Sequence, residues 1–111
     1  MKVLNYGSLN VDYVYSVDHI IVGGETQHSS KLEVFSGGKG LNQSIALAKA
    51  GVPVYHAGIV GTDGDILLEA CKEAGVNTKY IRRLPVKGGH TMIQVDKNAQ
   101  NCIILYLSLI H

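Results

Sequence analysis

A chain of 111 residues holds one domain at most, because a single hydrophobic core ordinarily serves about 100–200 residues. An apolar fraction of 46% beside 17% charged residues excludes a disordered chain and leaves a globular one of marginal stability. Ten basic against nine acidic side chains give a net charge of +1, and only Arg82 and Arg83 are adjacent basic residues, so the electrostatic footprint of a nucleic-acid binder is excluded.

Val3, Leu4 and Tyr6 form a short buried strand that runs into a polar turn, Gly7-Ser8-Leu9-Asn10-Val11-Asp12. Met1-Lys2 lacks the long apolar stretch of a signal peptide, which predicts a cytoplasmic protein. Tyr13 to Val17 alternates loosely, Gly23-Gly24-Glu25-Thr26 reads as a flexible joint, and Gln27 to Phe35 reads as a polar strand, together a flap. Lys39 to Ala50 carries Leu41, Ile45 and Ala48 at helical spacing, with a glycine-rich start and Gly51 as its stop. Val54 to Val60 is a strand, and Ile66 to Ala74 is a helix that Asp63 or Asp65 would cap, ending before Gly75. Tyr80-Ile81 starts a short strand; His90 to Asp96 and Asn101 to Leu107 form a hairpin around Lys97-Asn98-Ala99-Gln100. The alternation predicts an α/β sheet with the flap and the hairpin as antiparallel additions. Cys102 to Ile110 is apolar but has nine residues including Ser108, whereas a membrane helix needs about twenty.

Cys71 and Cys102 lack CxxC or CxxH partners and read as small buried hydrophobes. His19, His28, His56, His90 and His111 show no i,i+4 pair, so no metal site is expected. The Asn42-Gln43-Ser44 triplet matches a glycosylation acceptor but lies in a predicted helix without a secretion signal.

Gly37-Gly38-Lys39-Gly40 is the most informative cluster. Glycines at a helix start admit an oxygen-rich ligand to the backbone N–H groups, the helix dipole adds attraction, and Lys39 adds a charged donor. It is neither a Walker A loop, since Gly40 follows the lysine, nor GxGxxG, since Gln43 takes the last place; a plain turn before a helix explains it equally. Asn10 and Asp12 point to one side if a strand continues through them. A carboxylate and a carboxamide so placed suit vicinal sugar hydroxyls, while a backbone turn accounts for the same two residues. Asn42, three residues after Lys39, either faces the space beside Gly38 and Lys39 or is solvated.

Taken in order, Gly7-Ser8-Leu9-Asn10-Val11-Asp12, Gly24-Glu25-Thr26 and Ser36-Gly37-Gly38-Lys39-Gly40-Leu41-Asn42-Gln43 resemble the first-strand motif, the start of the lid and the first signature of the ribokinase-like (PfkB) carbohydrate kinase family, from about Lys2 to Tyr106. The resemblance implies the N-terminal part of a ribokinase-like α/β sandwich with a small antiparallel β lid, incomplete relative to the family: a single truncated domain over 1–111, with the lid at about 13–35 and the hairpin at about 90–107. It implies that Asn10, Asp12, Gly38, Lys39 and Asn42 bind a sugar. Gly23 replaces a usual proline, which should loosen the lid hinge. After Tyr106 the family runs on much further, so Leu107-Ser108-Leu109-Ile110-His111 reads as a truncation or frameshift product.

The resemblance further implies that the catalytic base, the anion hole and the sites for ATP and magnesium lie outside this chain, which is expected to be inactive alone, to bind neither cofactor and to hold no catalytic or metal residue. The expected partner is a small sugar, ribose or a related ketose, with no nucleic acid and no membrane. Two rival readings stand beside it. One is a non-catalytic module that self-associates through lid strands or Cys102 to Leu107, a β-forming stretch free of charge and proline. The other is part of a nucleoside kinase, against which Gln27-His28-Ser29-Ser30-Lys31 offers no aromatic shelf for a base.

Overall fold

The structure is a computed structural model that describes residues 1–106. Leu107 and the remainder of the apolar tail lie outside the described residues. Seven strands and two helices follow in the order β1 Val3–Tyr6, β2 Asn10–Ser16, β3 Lys31–Gly37, α1 Lys39–Lys49, β4 Val54–Val60, α2 Asp65–Ala74, β5 Asn77–Arg83, β6 His90–Val95 and β7 Asn101–Tyr106.

They build two sheets. The body sheet has the order β1-β4-β5, all parallel, with Val3 opposite Val54 and Val60 opposite Arg83. Parallel neighbours need a crossover, and α2 supplies the one between β4 and β5. Along β4 every second residue, Val54, His56, Gly58 and Val60, is buried, the period-two signature of a strand with one face against a core. Leu41 from α1, Leu67 and Cys71 from α2, Val76, and Leu9 and Val11 complete that core. Both helices stop at a left-handed glycine, Gly51 and Gly75, with the paired bonds Val52 N–H to Leu47 O and Val76 N–H to Cys71 O.

The lid sheet has the order β3-β2-β6-β7. The flap and the hairpin are therefore not separate additions: β2 pairs with β3 antiparallel and with β6 parallel, and β7 pairs with β6 antiparallel. Gln27 to Ser30 lie outside the strand expected there, and Asn10 and Asp12 belong to β2 instead of a turn. Between β2 and β3 the Gly23–Gly24 joint is tied down by side chains. Glu25 accepts from the Val22 N–H at 3.2 Å and faces His19 Nε2 at 2.8 Å, and Gln27 bonds the backbone of both Asp18 and His19.

Two further expectations fail for local reasons. Asp63 and Asp65 do not cap α2, whose N-cap is Gly64 without a side-chain bond: Asp63 instead accepts the Gly88 N–H, and Asp65 pairs with Arg83. Cys102 is exposed, because β7 is an edge strand with no layer over it. Cys71 is buried as expected, and desolvation pushes its thiol up to about 11.

Candidate functional site

The site forms where the lid sheet meets the body. Asn10 opens β2 and pairs with Gly37, the last residue of β3; Asp12, two positions on, pairs with Phe35 on one side and Thr91 on the other. Strand geometry puts Asn10 and Asp12 on one face. The chain then turns at Gly38 directly into α1.

That turn needs its glycines. Gly38 has φ +103°, and a side chain there would meet Ser8 O at 2.6 Å. Gly40 crosses Gly7 so closely that an added Cβ would lie 2.4 Å from the Gly7 carbonyl carbon. The close crossing lets Ser8 accept the Leu41 N–H through its carbonyl at 3.0 Å, with its hydroxyl 3.5 Å from the Gly40 nitrogen. Two amides of the helix start are thus turned to Ser8, which narrows the ligand cradle read from the sequence. Lys39 is exposed at the first position of α1 and makes no ion pair among the described residues. Asn42 is exposed one turn on, its N–H bonded to Gly38 O at 3.0 Å.

On the β2 side the polar atoms are held tightly. The Thr91 hydroxyl donates to Asp12 Oδ1 at 2.7 Å, and Asp12 Oδ2 lies against Gly37, where a Cβ would approach it to 2.4 Å. Asn10 Oδ1 is buried with no hydrogen-bond partner among the described residues. A buried acceptor left unsatisfied costs about 1–3 kcal/mol. The structure thus brings Asn10, Asp12, Gly37 and Gly38 together, with Lys39 and Asn42 on the adjoining first turn of α1.

Behind the turn lies a relay that sequence reasoning missed. Asn5 Nδ2 donates to Gly40 O and to Ser44 Oγ, each at 2.9 Å; Ser44 Oγ is 2.6 Å from His56 Nδ1; His56 Nε2 is 3.1 Å from Gly7 O. Because the Gly7 carbonyl only accepts, the ring carries its proton on Nε2 and accepts a hydrogen bond from the Ser44 hydroxyl at Nδ1. Ser44 and His56 are fully buried, and desolvation holds His56 below the ordinary imidazole value. The relay fixes both strands of the Gly7–Gly40 crossing. A histidine at an inward position of a strand was the one signal available for it.

A side-chain tie joins body and lid. Lys87 donates to the Tyr13 hydroxyl at 2.9 Å and lies 3.4 Å from Asp63 Oδ2, while Asp63 Oδ1 accepts the Gly88 N–H at 3.0 Å.

Among the described residues no group of three or more His, Cys, Asp or Glu side chains is placed to hold a metal ion. On the face shared with Asp12, the aromatic side chain is Phe35, not one from the run 27–31.

The sequence matches the pfkB family of carbohydrate kinases over residues 1–111. It is 38% identical to a ribokinase of Staphylococcus aureus over 109 residues, which is 95% of this chain and 36% of that protein. The fold is similar to ribokinase from Cryptococcus neoformans in complex with ADP, with TM-score 0.87 and 36% identity over 95% of this chain and 34% of that one. It is also similar to Arabidopsis thaliana ribokinase complexed with ribose and ATP, with TM-score 0.84 and 31% identity over 95% and 35% of the two chains. The chain spans about a third of the length of the relatives it matches.

Proposed function

The chain belongs to the pfkB family of carbohydrate kinases, and from that premise we propose that residues 1–111 are the sugar-holding part of an ATP-dependent kinase that phosphorylates a ribose-like sugar. The observation that carries this reading is the buried, unpartnered Asn10 Oδ1 two residues from the Asp12 carboxylate, on one face and beside the Gly37–Gly38 turn. A carboxylate accepts from hydroxyls, an amide oxygen accepts another, and the exposed Lys39 ammonium donates back; that set recognises adjacent hydroxyls. Asn42 completes the assignment from the first turn of α1.

Phosphoryl transfer needs a positioned base, stabilisation of the moving charge and a metal-bound nucleotide. The described residues form no such set, so we assign no transfer to residues 1–111 alone; ATP and magnesium belong to the complete enzyme. A small sugar, and neither nucleic acid nor a membrane, is the assigned partner, in the cytoplasm. No helix among the described residues is long and apolar enough to cross a membrane.

Calorimetric titration with D-ribose, D-fructose and adenosine tests this reading. Saturable binding of a free sugar, weakened roughly tenfold to a hundredfold by Asp12→Ala, is expected. Tighter binding of adenosine than of either sugar would transfer the assignment to a nucleoside kinase, with Phe35 as the base platform.

A second role, self-association through the lid, is favoured by Ile103, Ile104, Leu105 and Tyr106, all more than half exposed on the edge strand β7. Ile104→Lys should then yield monomer by light scattering, and an unchanged oligomer size would refute this contact.

A further inference from the structure

We propose that Thr91 is a positioning residue for the sugar-binding carboxylate: its hydroxyl holds Asp12 Oδ1 and so fixes the orientation in which the carboxylate is presented to the ligand. The inference rests on the reading of Asp12 as a sugar ligand given above and goes beyond it. Parallel pairing of β2 with β6 aligns Asp12 with Thr91, so that both side chains stand on the same face of the lid sheet. The Thr91 hydroxyl donates to Oδ1 at 2.7 Å, the length of a charge-assisted bond. From the other side β3 presents Gly37, whose bare Cα leaves room for Oδ2. The carboxylate is thus held between a donor on one neighbouring strand and backbone on the other.

This arrangement orients the acceptors. Each carboxylate oxygen has two lone pairs, so the bond from Thr91 leaves both able to accept from sugar hydroxyls while fixing the plane in which they do so. Asn10 Oδ1, without a partner among the described residues, offers a further acceptor on the same face. Thr91 touches no reacting atom in this scheme. It acts through Asp12, by fixing the carboxylate's rotamer before the sugar arrives, and pre-ordering of this kind raises affinity by removing an ordering cost on binding.

Thr91→Val tests the assignment, because valine keeps the β-branched shape that suits a strand and removes only the hydroxyl. Thr91→Ser restores the donor. Two readouts are taken on the isotopically labelled chain: the three-bond couplings that report the Asp12 χ1 rotamer without ligand, and the Kd for D-ribose. Wild type and Thr91→Ser should show one Asp12 rotamer and Kd values within roughly threefold of each other, while Thr91→Val should show averaged couplings and a Kd weaker by roughly tenfold. A single rotamer and an unchanged Kd in Thr91→Val would overturn the assignment. Rotamer averaging confined to Thr91→Val, in a folded chain where no variant binds ribose, would sustain the positioning role and overturn the sugar reading.

Discussion

The body sheet and the lid sheet use strands in opposite ways. In the body, β4 buries alternate residues under two helices, and nearly every fully buried side chain of the described chain lies on or beside it. In the lid, all six residues of β7 are exposed, and β3 buries Gly37 alone. The body is held by a core, the lid by its ladder of backbone bonds and by side-chain ties such as Thr91 to Asp12 and Lys87 to Tyr13. The candidate site takes its residues from both: Asn10 and Asp12 from the base of the lid, and Gly38, Lys39 and Asn42 from the edge of the body. Stability and ligand binding should therefore separate on mutation.

The largest expected effect comes from the body core. Leu41 is fully buried, so Leu41→Ala should cost about 3 kcal/mol, a large share of the stability of a domain this size. Ile103→Ala on the exposed lid strand should cost under about 0.5 kcal/mol by the same urea titration. Equal losses at the two positions would break the contrast between the sheets.

A smaller effect is expected at the seam. Gly40→Ala puts a Cβ against the Gly7 backbone, which cannot swing aside as a flexible side chain would. Overpacking of this kind costs about 1–3 kcal/mol and should displace the Gly38–Lys39 turn, so that thermal stability and ribose affinity fall together. A stable variant with intact ribose binding would show that the crossing does not position the site.

The smallest effects concern pH, and their signs differ between the regions. Burial lowers the pKa of His56 from its ordinary 6.5, so the folded body takes up its proton less readily than the unfolded chain. Its contribution is complete above about 6.5 and is lost as pH falls toward the lowered value. In the lid joint the Glu25 carboxylate, and after it Asp18, raises the pKa of His19, whose contribution is present below about 6.5 and is lost as pH rises through the raised value. Imidazole proton shifts should place the His56 titration below 6.5 and the His19 titration above it. The melting temperature should drop on acidification in a way that His56→Asn removes and His19→Asn does not.

Much of this architecture is legible in the sequence where the signal is local. The apolar spacing in α1 and α2, the strand-like run Val54 to Val60, and Gly51 and Gly75 as stops all mark elements close to their observed bounds. The parallel pairing of β2 with β6 is not legible, because it joins segments about eighty residues apart and neither strand carries a local mark of its partner. Thr91 and the relay of Asn5, Ser44 and His56 share that origin: their contacts span 79, 39 and 12 residues, and each residue read alone is an ordinary polar side chain. Asn10 and Asp12 were ambiguous between strand and turn until the β3 and β6 ladders placed them in β2. Gly37 reads in the sequence only as one glycine of the turn cluster, because only the fold sets it against the Asp12 carboxylate.

The central claim is that the seam between the two sheets holds a polyol. Its most direct test is a titration of the ¹⁵N-labelled chain with D-ribose, following the side-chain amides of Asn10 and Asn42 and the backbone amides of Asp12, Gly37, Gly38 and Lys39. The account predicts saturable shifts confined to these groups and their neighbours across the seam, with the far lid strand β7 unmoved. A folded chain whose spectrum does not change with ribose, or changes only along β7, would contradict it.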